Sequence, residues 1–385
     1  MNTEKKLIPL LRFPEFVRNT EWICTTLKAE MDYENGVAHE NDIDTFGKYI
    51  VVNSKFISTK GQIEKRTNSA RCLAKEKDIL MVLSDLPNGK AIAKCFYVDA
   101  SNKYTVNQRI CKLRSKGANS KLLYYIINRN PYFLSFDDGV KQTNLKKEEV
   151  LNCPLILPKS IEEQSVIAEC LSSIDSYISF INEKVEQLKA HKKSLMQKLF
   201  PQEGNIIPKC RFPEFQENSA WEKREFKEVI KVNSGRDYKH LSSGNIPVYG
   251  TGGYMLSVDG KLSDLDAVGI GRKGTIDRPQ YLKAPFWTVD TLFFLTNCDG
   301  YDIEFIYYLS QNIQWKKYGE QTGVPSLSKN SIEKLEVVVP TNIEEQKRIA
   351  RALSSLDEQI TLIEKKVSLL ESHKNGLMQQ LFPQI

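Results

Sequence analysis

Two stretches of this chain are one stretch written twice, and any fold must accommodate both copies. Pro158 to Pro201 and Pro340 to Pro383 are identical at about 24 of 44 positions. Arg12-Phe-Pro-Glu-Phe16 likewise returns as Arg211-Phe-Pro-Glu-Phe215, and each is followed at the same offset by a tryptophan, Trp22 or Trp221. So long a period in 385 residues means two duplicated units rather than a solenoid. Between the copies, residues 23 to 157 and 222 to 339 share only a loose pattern, such as Gly139-Val140…Leu145 against Gly323-Val324…Leu327. Scaffold is duplicated and cargo has diverged. The first LFPQ is followed closely by the second RFPEF, and the last LFPQ points back to the first RFPEF. The repeat is circular, and the termini are expected close together.

Apolar residues in the first copy fall at Ile167, Leu171, Ile174, Ile178, Ile181, Val185 and Leu188, then Leu195 and Leu199. The second gives Ile349, Leu353, Leu356, Ile360, Ile363, Val367 and Leu370, then Leu377 and Leu381. Alternating steps of four and three are the core stripe of a coiled coil. Ser160 with Glu163 reads as a capping box and Asn342 with Glu345 nearly so, while Pro201 and Pro383 stop the helices. Each helix should run about 39 residues, on the order of 58 Å. Such a stripe must be buried, against its own copy or in an intermolecular dimer. Lys192 and Lys374 are the polar residues in the two core stripes. Parallel in-register pairing would set them face to face. Antiparallel pairing instead brings Lys192 to Asp357 and Lys374 to Asp175, which fixes register. The sequence therefore predicts an intramolecular antiparallel coiled coil holding two variable domains apart.

Charge is uneven. Residues 1 to 160 carry 26 basic and 18 acidic side chains, whereas residues 201 to 342 carry 17 and 18. Lys55, Lys60, Lys65, Arg66 and Arg71, then Arg109, Lys112, Arg114, Lys116 and Lys121, are dense enough to suggest phosphate contacts. An ordinary solvated face is the competing reading. In the near-neutral second region the signal is local. Arg272 and Lys273 sit between glycines after a strand-like run, with Arg278 beyond, and Arg236, Lys239 and His240 follow another glycine turn. Arginine on such a turn can approach a groove and read guanine.

Other chemistries find little support. Eight cysteines form no CxxC pair and four histidines form no ligand cluster, so neither a metal site nor a catalytic residue is expected. No apolar run reaches the roughly 18 residues of a membrane span, so a soluble cytoplasmic protein is expected. Gly269-Ile-Gly271-Arg-Lys-Gly274 matches GxGxxG, but the following residues lack helical periodicity. Asn130-Pro-Tyr-Phe133 is one proline short of the tetrapeptide of amino-methyltransferases, and no GxxxxGK[ST] occurs.

Together, RFPEF…W at each domain start, IEEQxxIAxxLSSxD opening each helix, LMQ(K/Q)LFP closing it, and VGIGRKGTI…PFWTVDTLFFL resemble the specificity subunit of type I restriction-modification systems. The resemblance covers essentially the whole chain. It implies two α/β target recognition domains, residues 1–157 and 204–339, and two spacer helices, residues 158–203 and 340–385. It further implies a non-enzymatic subunit that binds a bipartite, asymmetric site in double-stranded DNA. Two methyltransferase subunits would dock on the repeated helices, and two motor restriction subunits would join them. S-adenosylmethionine, ATP and magnesium would be held by those partners and none by this chain. The alternatives are a recognition subunit for a methyltransferase lacking a nuclease and, from another class, a two-headed scaffold for proteins or glycans. If Asp266 is matched with Asp78, Arg272 and Lys273 fall opposite Ser84 and Asp85.

Overall fold

The computed structural model describes residues 8–18, 21–86, 90–319 and 325–383; Gly323-Val324 of the loose pattern lie outside them. The chain divides into two units, Met1–Phe180 with Ser368–Ile385, and Ile181–Val367. The division falls inside the two long helices, because each unit's core includes the start of one helix and the end of the other.

The first unit is built on the antiparallel strands β1 (Met31–Asn35), β2 (Ile79–Val82), β3 (Cys95–Tyr97) and β4 (Ile110–Ser115), in the order β1-β4-β2-β3. β2 is buried along its whole length, so its ILMV run faces core on both sides. A second sheet orders Lys65–Thr67, Tyr49–Val52 and Tyr104–Val106, the last pair parallel. Helix α1 (Ser120–Ile127) packs on the first sheet and is capped by Asn119, whose side chain accepts from Leu122 N–H. The long helix α2 (Ile161–Leu199) follows.

The second unit repeats this plan. Strands β5 (Ile230–Ser234), β6 (Ala267–Gly271), β7 (Gln280–Leu282) and β8 (Leu292–Asn297) take the order β5-β8-β6-β7. A three-stranded sheet of Gly253–Val258, Ser243–Gly250 and Trp287–Thr288 again ends in a parallel pair. Helix α3 (Ile303–Asn312), capped by Asp302, matches α1, and the long helix α4 (Ile343–Leu381) matches α2. In both units the tryptophan after RFPEF lies at or just before a strand that pairs with the one leading into the long helix: Trp22 opens Trp22–Thr26 against Pro154–Pro158, and Trp221 precedes Glu222–Glu225 against Glu336–Val339.

The heptad stripes pack together within one chain. In the first unit Ile167 and Leu171 of α2 share a core with Leu377 and Leu381 of α4. In the second, Leu195 and Leu199 of α2 share one with Ile349 and Leu353 of α4. In each unit the helices are therefore antiparallel. Ile178, Ile181, Val185, Ile360 and Val367 are buried as well, and Ile174, Leu188, Leu356, Ile363 and Leu370 are half-buried.

The polar stripe positions take defined partners. Lys192 Nζ lies 2.6 Å from Asp357 Oδ2, which also accepts from Tyr308 at 2.8 Å, and the ammonium stands 5.0 Å from that tyrosine's ring centre. Lys374 repeats this with Asp175 at 2.6 Å, Tyr125 at 2.8 Å and a ring distance of 4.9 Å. Lys192→Met leaves Asp357 with Tyr308 alone and should cost about 1–3 kcal/mol, while Lys192→Met with Asp357→Leu should recover most of that. Denaturant titration of the double-mutant cycle measures it; equal losses in single and double variants would show that the pair contributes nothing.

The repeated motifs exist to lock these junctions. Glu163 and Glu345, expected to close capping boxes, instead direct both carboxylate oxygens to arginine: Arg12 at 2.7 and 2.7 Å, Arg211 at 2.6 and 2.7 Å. The cap is left to Ser160, which accepts from Glu163 N–H, and to Asn342, which accepts from Glu344 N–H. The next residue, Gln164 or Gln346, accepts from the N–H of Asn119 or Asp302 and so ties the long helix to α1 or α3. Leu11 N–H donates to Gln380 O at 3.0 Å, so the first RFPEF segment meets the end of α4, as a circular repeat requires.

Candidate nucleic-acid interface

The two ladders superimpose residue for residue. Ile79 pairs with Leu113 and Val82 with Ile110, as Val268 pairs with Leu295 and Gly271 with Leu292. Beyond the ladder, Leu83 N–H donates to Arg109 O, and Arg272 N–H donates to Thr291 O. Leu145 N–H then reaches Leu83 O, and Leu327 N–H reaches Arg272 O. Arg272 thus corresponds to Leu83 and Lys273 to Ser84, one residue away from the match obtained by aligning Asp266 with Asp78. The ladder, not the aspartate, sets the register.

This places an arginine at the same corner of both units, but on opposite strands. The first unit has Arg109 where the second has Thr291; the second has Arg272 where the first has Leu83. Both arginines are exposed, and the Arg272 guanidinium lies 5.7 Å from the ring centre of Phe293. The corner is tight. A Cβ on Gly36 would lie 2.0 Å from Asn107 O, and one on Gly235 2.0 Å from Val289 O, so only glycine lets the neighbouring loop close on the turn. Exposed Arg236 leaves Gly235 along that turn, its N–H donating to Thr288 O. Gly269-Ile-Gly271-Arg-Lys-Gly274 is the end of β6 and its turn, with Gly274 at φ +85° and β7 following where a nucleotide site needs a helix.

Other cations in the second unit are Lys239, which follows the turn with His240, Lys273, bridged through its backbone to Ser326, and Arg278, next to the Asp277–Lys316 ion pair at 2.6 Å. In the first unit Lys55, Lys60 and Lys65 are exposed on and after the helix Ser54–Ser58, with Lys60 in the left-handed region at φ +50°. The remaining candidates make contacts within their own unit. Lys112 is buried, pairs with Glu34 at 2.7 Å and donates to Leu73 O, and Arg114 makes a two-pronged bond to Asp78 at 2.7 and 2.8 Å. Partners distant in sequence thus neutralise both charges. Arg66 meets Glu64 at 2.8 Å, Arg71 meets Asp42 at 2.5 Å, and Lys116 donates to Lys28 O at 2.7 Å. Lys121 lies over the rings of Tyr97 and Tyr124.

Sequence reading passed over a paired signal, Leu123-Tyr-Tyr-Ile126 against Ile306-Tyr-Tyr-Leu309, which carries Tyr125 and Tyr308 to the helix lysines. Asn130-Pro-Tyr-Phe133 is a structural cap, the Asn130 side chain accepting from Tyr132 N–H. Burial pushes the Cys72 thiol up to about 11 and Cys153 up to about 12, away from thiolate chemistry at neutral pH. Among the described residues no group of His, Cys, Asp or Glu could hold a metal, and no helix is long and apolar enough to cross a membrane.

The family model described as "Type I restriction modification DNA specificity domain" matches residues 25–190 and again 218–372. The Type I restriction enzyme MjaVIII specificity subunit of Methanocaldococcus jannaschii is 25% identical, over 96% of this chain and 93% of its own length. Among solved structures, the S subunit of a type I restriction-modification system from M. genitalium aligns with a TM-score of 0.68 at 19% identity, covering 98% of this chain and all of that one. A chain from a type I R-M system solved for complex assembly and conformational transition aligns at 0.51 with 15% identity, covering 94% and 96%. At these identities the two structures speak for the fold alone.

Proposed function

The chain belongs to the type I restriction-modification DNA specificity family, and from that membership we propose that each unit reads one half of a split DNA site through the arginine-bearing corner of its main sheet. The protein is the non-catalytic subunit that recognises the DNA target. The observation that carries the two-reader proposal is duplication with divergence: one ladder occurs twice, yet its corner carries Arg109 and Leu83 in one unit and Thr291 and Arg272 in the other. Different side chains on a common frame suit two unlike half-sites, because bases are read by individual side chains while phosphate contacts only position the protein. Lys60, Lys65 and Arg109 in the first unit, and Arg236, Lys239, Arg272, Lys273 and Arg278 in the second, are the proposed contacts. They are exposed, and among the described residues no side-chain ion pair occupies them.

The subunit works in an assembly. Two identical methyltransferase subunits are proposed to dock on the duplicated helices, with motor subunits joining for cleavage. S-adenosylmethionine, ATP and magnesium belong to those partners. Phe180 of α2 and Leu362 of α4 support this, since they are equivalent in the repeat and stand 64% and 69% exposed, an apolar side chain presented at the same place on both helices. Phe180→Glu or Leu362→Glu should each weaken capture of one methyltransferase copy by about 10-fold, and the pair should prevent assembly. Stoichiometry by native mass spectrometry checks this. A two-to-one complex from the double variant would remove these residues from the interface.

Long-read detection of methylated adenine tests the whole reading, in a methylation-free host that expresses this chain with its adjacent methyltransferase. The expected result is one split motif of two unlike halves around an undefined gap. A soluble complex that leaves the genome unmethylated would refute it.

A further inference from the structure

The two units differ sharply at one place where the repeat should make them alike. On α1, Lys121 sits two residues past the cap, and its ammonium lies 4.2 Å from the ring centre of Tyr97 and 5.0 Å from that of Tyr124. Tyr97 faces Ile79 across the ladder as Tyr281 faces Val268, and Tyr124 stands five residues past its cap as Tyr307 does. The rings form the same edge-to-face pair in both units: 5.8 Å and 64° for Tyr97 with Tyr124, 5.6 Å and 72° for Tyr281 with Tyr307. At the position of Lys121, however, the second unit has Glu304.

The cage is thus conserved within the molecule while its cation is replaced by an anion. Among the described residues Glu304 has no ion-pair partner, and Tyr281, Tyr307 and Glu304 line an open groove of about 1030 Å³ beside α3. Of the four lysines that line it, Lys192 is engaged with Asp357 and Lys189 with Glu364 at 2.9 Å, while Lys193 and Lys365 form no ion pair with Glu304 among the described residues. Burial and the neighbouring carboxylates of Asp302, Glu358 and Asp266 raise the Glu304 pKa against the opposing charge of Arg351, so acidic groups outweigh the nearby cation.

We propose that this groove receives a lysine side chain from a partner protein, its ammonium taking over Tyr281 and Tyr307 the place that Lys121 takes over Tyr97 and Tyr124, with Glu304 as counter-ion. A primary ammonium on a flexible apolar stem fits because that group fills the first unit's copy. Ring faces attract the cation, the carboxylate neutralises it, and the stem covers the apolar wall. The inference goes beyond DNA recognition and does not rest on it, since the groove is lined by the two long helices, α3 and Tyr281 and not by the arginine-bearing corner.

Ligand-observed NMR on the full chain tests the chemistry, with Nα-acetyl-lysine methylamide as probe and the norleucine analogue as its uncharged counterpart. The lysine probe should bind saturably, with ring-current shifts at its ε-methylene, and the norleucine probe should not. Glu304→Gln should weaken binding about 10-fold. Glu304→Lys should abolish it by filling the cage from within, and Lys121→Glu should open a second site. Equal behaviour of the two probes, or full binding by Glu304→Lys, overturns the proposal. Carbodiimide coupling in the assembled complex tests the source. A cross-linked peptide joining Glu304 to a partner's lysine is expected. Glu304 joined only to lysines of its own chain, or left uncoupled while neighbouring carboxylates react, also overturns it.

Discussion

Arg211→Ala should destabilise the second unit by about 3–5 kcal/mol. The Arg211 and Glu345 side chains are 10% and 1% exposed and meet through two bonds of 2.6 and 2.7 Å. Removing the guanidinium leaves a carboxylate 1% exposed in the intact protein, with the Trp221 indole N–H at 3.2 Å as its side-chain donor among the described residues. It also frees the RFPEF segment that Arg211 anchors to the start of α4. Glu345→Gln in the same background should recover much of the loss, because a neutral amide removes the buried charge. Circular dichroism during urea denaturation, comparing the single and double variants, measures both. A single variant within 1 kcal/mol of wild type would show that the pair contributes almost nothing.

Arg272→Ala should relax one half of the methylated motif and leave the other intact, with a loss of about 10–100-fold at the affected half-site. The backbone of Arg272 is held on both sides, by Thr291 O and by Leu327 N–H, so truncating the side chain leaves the corner in place. Methylation mapping should show a degenerate position in one half and the same gap, and the purified complex should keep its composition. Arg109→Ala should do the same to the opposite half. If Arg272→Ala changes both halves, or releases free methyltransferase, the residue supports the fold rather than reading DNA. Because phosphate contacts act uniformly, Lys239→Ala should instead weaken binding to all sequences and lower its salt dependence.

Patterns confined to one element could be read without the fold. The four-and-three spacing of Ile167, Leu171 and Ile174 is set by the helix repeat, so the buried face follows from position alone. Lys192 and Lys374 interrupt that stripe, and an antiparallel partner is the one that offers them carboxylates; in the structure both ammonium groups meet those carboxylates at 2.6 Å. The divergent regions were harder. Lys112 and Arg114 read as phosphate contacts, but their partners Glu34, on β1, and Asp78, just before β2, are distant in sequence and brought close by ladder pairing. Local charge density carries no information about such pairs.

The duplicated helices, their antiparallel sense and the family they mark were therefore determined by the sequence itself, because short-period burial patterns and repeated motifs survive without knowledge of what lies across from them. The tertiary structure alone decided which cations among the described residues have no ion-pair partner, that Arg272 is the counterpart of Leu83, and that Tyr281 and Tyr307 form the cage with Glu304 in place of a lysine. Each of these depends on hydrogen-bond register between strands far apart in the chain, and a shift of one residue would send every side chain to the other face.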